Sequence, residues 1–537
     1  MYAGILMNMQ TGMPKYLTMK RIHVLIFIGL AVLGTSCKKY FDINTNPNSA
    51  TSATPELILP QAITATAGNL NAFNTYGAQL VGYMSNAGGY GAFGVAFTYN
   101  FTSSNWGNLW SGVFDNQEDY QAIINSTDGI AEYSYFNAAA RIMKVLNYQL
   151  LVDAYNDVPY SDALQGAKKL SPSYDDAKAI YKDLAGQLDI AIQTINTGNS
   201  TVAVKALNTS DVLFGSNMTL WKKFANTLKL RLLIHGNGKV TFSNTTFSSD
   251  GFLTTDAVIN PGFVRDNGKQ NPKWDTWTWS YSGSARSKAW MPSTFIMAFY
   301  NGVKLSDPGR GAATYYQYPS TASNKLGYEN NSVASSPEGS FWYTATKRGA
   351  TSGNDTTGTL KGPDAGMPVI TAAESYFLQA EAVVKGILSA GNAQTLFEHG
   401  VTASFTYIYT KPDGSVTGDP DADAVDYIVS NGSYLTDFSL ATSTAQKLEA
   451  IITQKYIALN MVNSDEAWNE YRRTHYPTLV NSAGAGATET FVSTVSESTR
   501  PDRLPTRIMY PSSEGAYNAS NVPKSISPFS SLIFWAL

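Results

Sequence analysis

Apolar residues recur every three or four positions over much of the chain, which is the spacing of one face of an α-helix. Pro60 lies inside the first periodic segment and predicts a kink there. The pattern predicts helices over residues 54–68, 72–87, 108–126, 131–155, 173–196, 217–235, 367–386, 391–409, 441–461 and 464–473. Small residues within several helices, such as the alanines at 138–140, permit close packing of neighbouring helices. The sequence therefore predicts a mainly α scaffold of helical hairpins with few short strands.

The helical pattern breaks between residues 237 and 365, where Gly, Asn and Ser are frequent and strand-like pieces such as 341–346 appear. From residue 477 the chain is again rich in Pro, Ser and Gly, which predicts a tail extended over the surface. Binding residues usually lie on loops that a rigid scaffold holds in place. We therefore expect one domain over 37–537, with a helical part (37–236), a loop-rich ligand-facing insertion (237–365) and a second helical part with the tail (366–537).

The N-terminal segment has the layout of an export signal. Lys20 and Arg21 precede an apolar run over residues 23–33, and small residues at 34–36 lead to Cys37, the single cysteine. The run is shorter than the roughly 20 residues that span a bilayer. A cysteine at this point resembles a bacterial lipobox, although Leu33 stands one position further from it than is usual. We expect residues 1–18 to be a misassigned start, 19–36 a signal peptide and Cys37 the lipid attachment point; a plain secretory signal is the alternative.

Charge and aromatic content narrow the class of ligand. The net charge is −3 with 15% charged residues, and no basic patch indicates nucleic-acid binding. Aromatic residues make up 12% of the chain, and Asn, Ser, Thr and Gly are abundant. Aromatic rings stack on the apolar faces of sugars, while amides and hydroxyls bond to sugar hydroxyls. The composition favours an uncharged polar ligand such as a sugar, although any single ring is more often part of a core.

Three aromatic loops are candidate binding segments. In residues 271–290, Trp277, Trp279 and Tyr281 alternate, and in an extended segment they would project from one side. A strand that packs this face onto the helices is the alternative. Residues 85–106 form a Gly-rich loop, in which glycine permits close backbone approach to a ligand, and residues 338–348 form the third. The aromatic candidates are Trp274, Trp277, Trp279, Tyr281, Tyr90, Phe93, Tyr99, Trp106 and Trp342.

Enzyme chemistry finds little support. The four histidines, at 23, 235, 399 and 475, are not spaced as a zinc pair, and the chain has neither a GxSxG motif nor a phosphate-binding loop. We predict no catalytic residues, although 41 acids leave a two-carboxylate glycosidase open. Asp419, Asp421 and Asp423 are candidates for a structural calcium ion, but the segment lacks the glycine and final Glu of an EF-hand. A solvated loop is the alternative, and no other cofactor is expected.

Four sequence blocks indicate how the fold is maintained and which family the chain resembles: VDAYNDVPYSDAL (152–164), DVLFGSNMTLWKKFANTLKLRLLI (211–234), PVITAAESYFLQAEA (368–382) and ITQKYIALNMVNSDEAWNEYRRTHYPTL (452–479). Glu374 and Glu381 are seven apart and share a helix face, so if buried they need basic partners, for which Arg472 and Arg473 are candidates. Asp211 can cap a turn or pair with a base of the following helix. These residues are expected to maintain the fold rather than to catalyse a reaction.

In this order the blocks resemble the SusD/RagB family of nutrient-binding outer-membrane lipoproteins, and more narrowly its SusD-like branch. The resemblance implies a TPR-like superhelical scaffold, an outer-membrane anchor through Cys37 facing the cell exterior, and delivery of an oligosaccharide to a SusC-like TonB-dependent transporter. It also implies an arc of aromatic side chains with a few amides and an arginine, for which Arg286 is the candidate. A peptide-binding member of the family, a surface glycosidase and a purely architectural lid on the transporter are the alternatives.

Overall fold

The computed structural model describes residues 53–329 except 92, residues 340–344, and residues 356–537 except 483. The predicted start and signal segments, Cys37 and positions 345–346 of the strand-like piece lie outside the described residues. The chain from Pro55 to Leu537 forms one compact unit. Within the described part of the chain, no helix combines the length and the apolarity needed to cross a membrane.

Helices dominate the described residues, and the prediction of a mainly α fold is confirmed. The described residues contain fifteen α-helices: α1 (Pro55–Leu80), α2 (Val95–Thr98), α3 (Gly107–Thr127), α4 (Ser134–Tyr155), α5 (Ala177–Asn199), α6 (Met218–His235), α7 (Pro272–Trp277), α8 (Thr294–Met297), α9 (Pro308–Thr314), α10 (Ala372–Val384), α11 (Ala393–Tyr409), α12 (Pro420–Ser430), α13 (Thr444–Ala458), α14 (Ser464–Thr474) and α15 (Ser512–Tyr517). The same part of the chain contains four strands: β1 (Met84–Asn86), β2 (Ala257–Ile259), β3 (Trp290–Pro292) and β4 (Met367–Ile370). They form two antiparallel pairs, β1 with β3 and β2 with β4.

The long helices pack as a continuous series. Helix α1 packs on α3, and α3, α4, α5 and α6 then follow one another side by side. Helix α6 also contacts α10, which packs on α11 and α13, and α14 returns to pack on α1. Because α14 joins the last helices to the first, its side chains are surrounded by protein on all sides and its residues 464–473 are all buried.

The predicted break between residues 68 and 72 is wrong, since α1 runs without interruption through this segment. The amides that resemble a loop instead bond to neighbouring segments. Asn69 Nδ2 donates to the carbonyl of Gly112 at 3.0 Å, and Asn71 Nδ2 donates to Thr276 Oγ1 at 2.9 Å. Tertiary hydrogen bonds thus keep the helix continuous where its sequence favours a turn.

Gly77 is where α1 comes closest to the start of α14. A Cβ at this position would lie 2.3 Å from the backbone nitrogen of Asp465, whereas a Cβ at Gly68 in the same helix would meet nothing within 4 Å. We expect Gly77→Ala to lower the free energy of unfolding by about 1–3 kcal/mol, because two backbones must move apart. Gly68→Ala, the matched control, should raise it by about 0.5–1 kcal/mol through helix propensity. Urea-induced unfolding of both variants tests this, and equal effects of the two substitutions would contradict the close contact.

Three further predictions are corrected. The segment predicted as the start of a helix at 367 is β4, and α10 begins only after Thr371, whose Oγ1 accepts from the backbone N–H of Glu374 at 3.2 Å. The acidic segment 419–426 lies at the start of α12 rather than in a loop. The tail does not simply extend over the surface, because it buries side chains such as Phe491, Ile508 and Trp535 in the core.

Candidate functional site

The tryptophans of segment 271–290 are the first candidates, and most of them are buried. Helix α7 brings Trp274 and Trp277 onto one face, because residues three apart share a helix face. Trp277 is only 2% exposed and Trp279 only 1%. Trp274 and Trp279 each pack edge-on against Tyr343, at ring distances of 5.2 and 5.1 Å. The prediction of an exposed alternating row is therefore wrong for the tryptophans.

Trp342, Tyr99 and Trp106 also face the protein. Trp342 is 1% exposed and packs edge-on against Trp277 at 5.9 Å. Tyr99 is fully buried, and its hydroxyl accepts from the backbone N–H of Ser493 at 3.1 Å. Trp106 is half-buried and packs edge-on against Tyr76 at 5.4 Å. These rings stabilise the fold, and in this conformation Trp342 and Tyr99 offer no face to a ligand.

Tyr281 and Arg286 remain at the surface, on a short hairpin that Trp279 and Ala285 close as an isolated bridge. Tyr281 is 45% exposed, and its carbonyl accepts from Arg265 Nε at 3.1 Å. Arg286 donates to both carboxylate oxygens of Asp275, at 3.0 and 3.2 Å. An arginine held in this way keeps other N–H groups for a ligand, since a guanidinium has five.

The glycine-rich loop after β1 places Phe93 against Trp290. Strand pairing sets Asn86 opposite Trp290, and Ala87 N donates to the carbonyl of Ala289 at 2.8 Å. The ring of Phe93 stacks on Phe97 at 4.6 Å and meets Trp290 edge-on at 5.2 Å. Gly89 and Gly94 adopt positive φ (+78° and +52°), a backbone conformation that glycine reaches without steric cost. Phe93 and Trp290 are thereby held half-exposed.

Asn86 and Asn324 hold the backbone of Tyr328, whose ring is exposed, beside β1. The Nδ2 groups of both asparagines donate to the carbonyl of Tyr328, at 2.9 and 3.0 Å. Asn86 Oδ1 accepts from the backbone N–H of Gly327 at 3.1 Å. Tyr328 is 49% exposed. We name Tyr90, Phe93, Trp290 and Tyr328 the aromatic ribbon: it is the set of half-buried or exposed rings that β1, β3 and their adjoining loops hold.

The sequence interpretation missed two of these four residues. Trp290 belongs to the tryptophan-rich segment, and its position at the end of that segment was the available signal. Tyr328 had no signal in its local sequence, because the hydrogen bond that places it beside β1 comes from Asn86, 242 positions away. Tyr90 and Phe93 were predicted, and both are half-buried.

Two of the three predicted calcium ligands, Asp419 and Asp423, have protein partners. Asp419 caps α12, accepting from the backbone N–H of Ala422 at 3.1 Å, and Asp423 accepts from the hydroxyl of Tyr409 at 2.5 Å. In the described part of the chain, these carboxylates do not form a group of three converging ligands. Calcium binding here stays an untested prediction that the geometry does not favour.

A buried group of charges surrounds α14. His235 Nε2 lies 3.3 Å from Glu466 Oε1 and 3.3 Å from Glu470 Oε1. Lys455 Nζ donates to the same two oxygens at 2.9 and 3.1 Å. Burial alone would lower the pKa of His235, but Glu466 and Glu470 outweigh it and raise the pKa to about 9. The His235 ring is therefore charged at neutral pH.

This cluster is the only group of three metal-ligating side chains that converges within the described residues. A metal ion does not fit it. The ammonium of Lys455 already occupies the position facing both carboxylates, and a charged imidazole has no lone pair for a metal. Since His235 and Lys455 are also buried, the cluster offers a substrate no access.

The neighbouring ion pairs follow the sequence prediction in part. Arg473 pairs with Glu381 at 2.6 Å, as predicted. Glu374 pairs instead with Arg231, at 3.1 Å, while Arg472 donates to the backbone carbonyls of Thr506 and Asp153. Asp211 caps a turn, accepting from the N–H groups of Leu213 and Phe214.

Comparison with known proteins identifies a family for the chain. The family model described as "Starch-binding associating with outer membrane" matches residues 47–511. No curated protein sequence is significantly similar to the chain.

Solved structures share the fold. A SusD homologue from Bacteroides fragilis has a TM-score of 0.63 and 19% identity, covering 90% of this chain and 100% of that one. A SusD/RagB family protein from Bacteroides thetaiotaomicron has a TM-score of 0.64 and 19% identity, covering 90% and 99%. A chitin-binding SusD homologue from Flavobacterium johnsoniae has a TM-score of 0.61 and 21% identity, covering 88% and 98%. Since the family model spans most of the sequence and the folds agree along nearly the whole of these relatives, the chain belongs to the SusD/RagB family.

Proposed function

We propose that the protein is a cell-surface lipoprotein, anchored through Cys37, that binds an oligosaccharide and delivers it to a SusC-like TonB-dependent transporter. The aromatic ribbon is the observation that carries this proposal. The family's description as starch-binding and outer-membrane associated supports it, as does the description of one relative as chitin-binding.

The ribbon has the physical properties of a sugar-binding surface. Phe93 and Trp290 are held by ring contacts before a ligand arrives, and Asn86 and Asn324 fix the backbone of Tyr328, so binding has to order little of this segment. By analogy with aromatic pairs, each stacking contact contributes about 0.5–1.5 kcal/mol beyond area burial. Several such contacts correspond to dissociation constants from about micromolar to millimolar. This range suits a carrier that must release its ligand.

The ribbon favours a neutral ligand over the alternatives. None of its four side chains carries a charge to anchor a peptide terminus. A glycosidase requires two carboxylates about 5–10 Å apart at the bound sugar. The aromatic ribbon contains no carboxylate, so we propose binding and release without cleavage. We place Tyr281 and Arg286, on the hairpin that precedes β3, as further contacts to a longer ligand.

Substitution of ribbon residues tests this proposal. We expect Trp290→Ala and Tyr328→Ala each to weaken binding of a chitin or starch oligosaccharide about tenfold, which corresponds to one lost stacking contact. The matched control is Tyr517→Ala, because Tyr517 is 83% exposed but lies on α15, outside the ribbon. Isothermal titration against both oligosaccharides, with analysis of the products, measures affinity and cleavage together. Unchanged affinity in both ribbon variants would contradict the assigned site, and cleaved products would contradict the carrier function.

A further inference from the structure

A cavity of about 610 Å³ lies between α3, α4, α5 and the loop of residues 160–168. This volume is within the range of roughly 300–1,000 Å³ that small-ligand sites occupy. The cavity shares no lining residue with the aromatic ribbon. It is therefore a second place at which a ligand of a few sugar units can be held.

Amide side chains line much of this cavity. They are Gln121, Asn125, Gln165 and Gln187. An amide both donates and accepts hydrogen bonds, as a sugar hydroxyl does. The ring of Tyr160 also lines the cavity, and its hydroxyl is held by Asp183 at 2.5 Å. The wall therefore combines an aromatic ring with groups that match hydroxyls.

The charges of the wall are unbalanced. Arg141, Lys144 and Lys168 line the cavity with a single carboxylate, that of Asp128. Each nitrogen of the Arg141 guanidinium already has a protein partner: it donates to Asp128 at 2.9 Å, to Asn137 at 2.7 Å and to Gln187 at 2.8 Å. Asp128 is thus already paired with Arg141, so the remaining positive charges have no carboxylate in the wall.

Lys144 is the half-buried cation of this wall that makes no ion pair within the described residues. Its ammonium, half-buried, donates to the neutral Oε1 of Gln121, and no carboxylate oxygen of the described residues lies within ion-pair distance. Burial, and then the nearby charge of Arg141, lower the pKa of Lys144 to about 8, and the more weakly acting carboxylates of Asp183 and Glu118 oppose this shift. An ammonium has three N–H donors, so at least two remain for a ligand. Removing an ammonium from water is costly without an opposing charge, and a ligand carboxylate would supply one.

The loop over the cavity is strained. Leu164, which lines the wall, adopts φ of +61°, a conformation that is rare for residues other than glycine, asparagine and aspartate. Residues held in such a conformation are energetically costly and cluster at ligand sites. The strain is consistent with a loop shaped for binding.

We infer that this cavity binds an acidic sugar, a uronate unit of an oligosaccharide, with its carboxylate on Lys144 and its hydroxyls on the surrounding amides. This site is separate from the aromatic ribbon and goes beyond the proposed function, since it selects for charge. An acidic peptide would also satisfy Lys144. The sugar is favoured because the wall pairs amides with an aromatic ring, which suits hydroxyls and the face of a sugar.

Titration of the full chain with trigalacturonate tests the inference, with maltotriose as the neutral probe. We expect trigalacturonate to bind the unmodified chain, and Lys144→Gln to weaken that binding at least about tenfold, while Lys144→Arg retains it. The matched control is Lys182→Gln, which removes a lysine charge from the exposed face of α5, outside the cavity. Maltotriose affinity should be the same with and without Lys144.

Several outcomes would overturn the inference. Absence of trigalacturonate binding, or equal binding by Lys144→Gln, would remove the site. Triglutamate binding as tightly as trigalacturonate would assign it to acidic peptides instead. The Trp290→Ala variant separates this test from that of the ribbon, because it should leave trigalacturonate binding at the cavity unchanged. Thermal unfolding is the check on folding. If Lys144→Gln unfolds at the same temperature as the unmodified chain, its loss of binding is not caused by a loss of folding.

Discussion

Replacement of Lys455 by methionine is expected to lower the free energy of unfolding by about 3–5 kcal/mol, the usual cost of removing one partner from a buried ion pair. The Lys455 ammonium bonds to Glu466 and Glu470, and all three side chains are buried. Burial alone would lower the pKa of Lys455, but these carboxylates raise it above its usual range. Methionine fills a similar volume and carries no charge. Without the ammonium, the carboxylates of Glu466 and Glu470 would be neutralised only by the single charge of His235 and by part of the charge of Arg473.

Urea-induced unfolding of Lys455→Met measures the effect. Lys447→Met is the matched control, since Lys447 lies in the first turn of the same helix α13 and is not fully buried. We expect this control to stay within about 0.5 kcal/mol of the unmodified chain. A loss of unfolding free energy below about 1 kcal/mol in Lys455→Met would show that water or rearrangement compensates the two carboxylates. That result would contradict a water-excluded cluster of His235, Lys455, Glu466 and Glu470.

The contribution of His235 to stability should disappear as the pH rises through its folded-state pKa of about 9. The pKa is raised from 6.5, so the folded chain binds one more proton than the unfolded chain between these values. The stabilisation is therefore fully present below about pH 6.5 and lost towards pH 9, a change of about 3 kcal/mol. Glu466 and Glu470 supply it at Nε2, and Asp153 and the hydroxyl of Tyr181 face Nδ1 at 3.8 and 3.4 Å.

The measurement must compare two chains, because other groups titrate in the same window. Burial lowers the pKa of Lys273 to about 7 and that of Lys361 to about 8. These lysines bind fewer protons in the folded chain, so they make stability rise with pH and oppose the effect of His235. We therefore expect the difference in unfolding free energy between the unmodified chain and His235→Gln to shrink by about 3 kcal/mol between about pH 6 and pH 9. A difference that is constant over this range would show that the pKa of His235 is not raised in the folded state.

Much of the scaffold could be predicted from the sequence, because helix formation depends on periodicity and capping close along the chain. Helices α3, α4, α5, α6, α11 and α14 lie within a few residues of their predicted bounds. The four sequence blocks, in their order along the chain, were sufficient to identify the family. The Arg473–Glu381 pair was among the expected ion pairs. Continuity of α1 was not predictable, because it depends on hydrogen bonds from Asn69 and Asn71 to distant segments.

Less of the candidate site than of the scaffold could be predicted from the sequence. Local sequence identified the aromatic segments, but it could not show that Trp277 and Trp279 are covered while Trp290 is half-exposed. Local sequence likewise could not show that Arg231 and Lys229 are buried against acidic partners. The sequence by itself thus determined most of the helices, the family and the aromatic character of the candidate binding segments. Only the tertiary structure decided which rings meet solvent and which charges are buried, because exposure depends on what distant parts of the chain pack against each side chain.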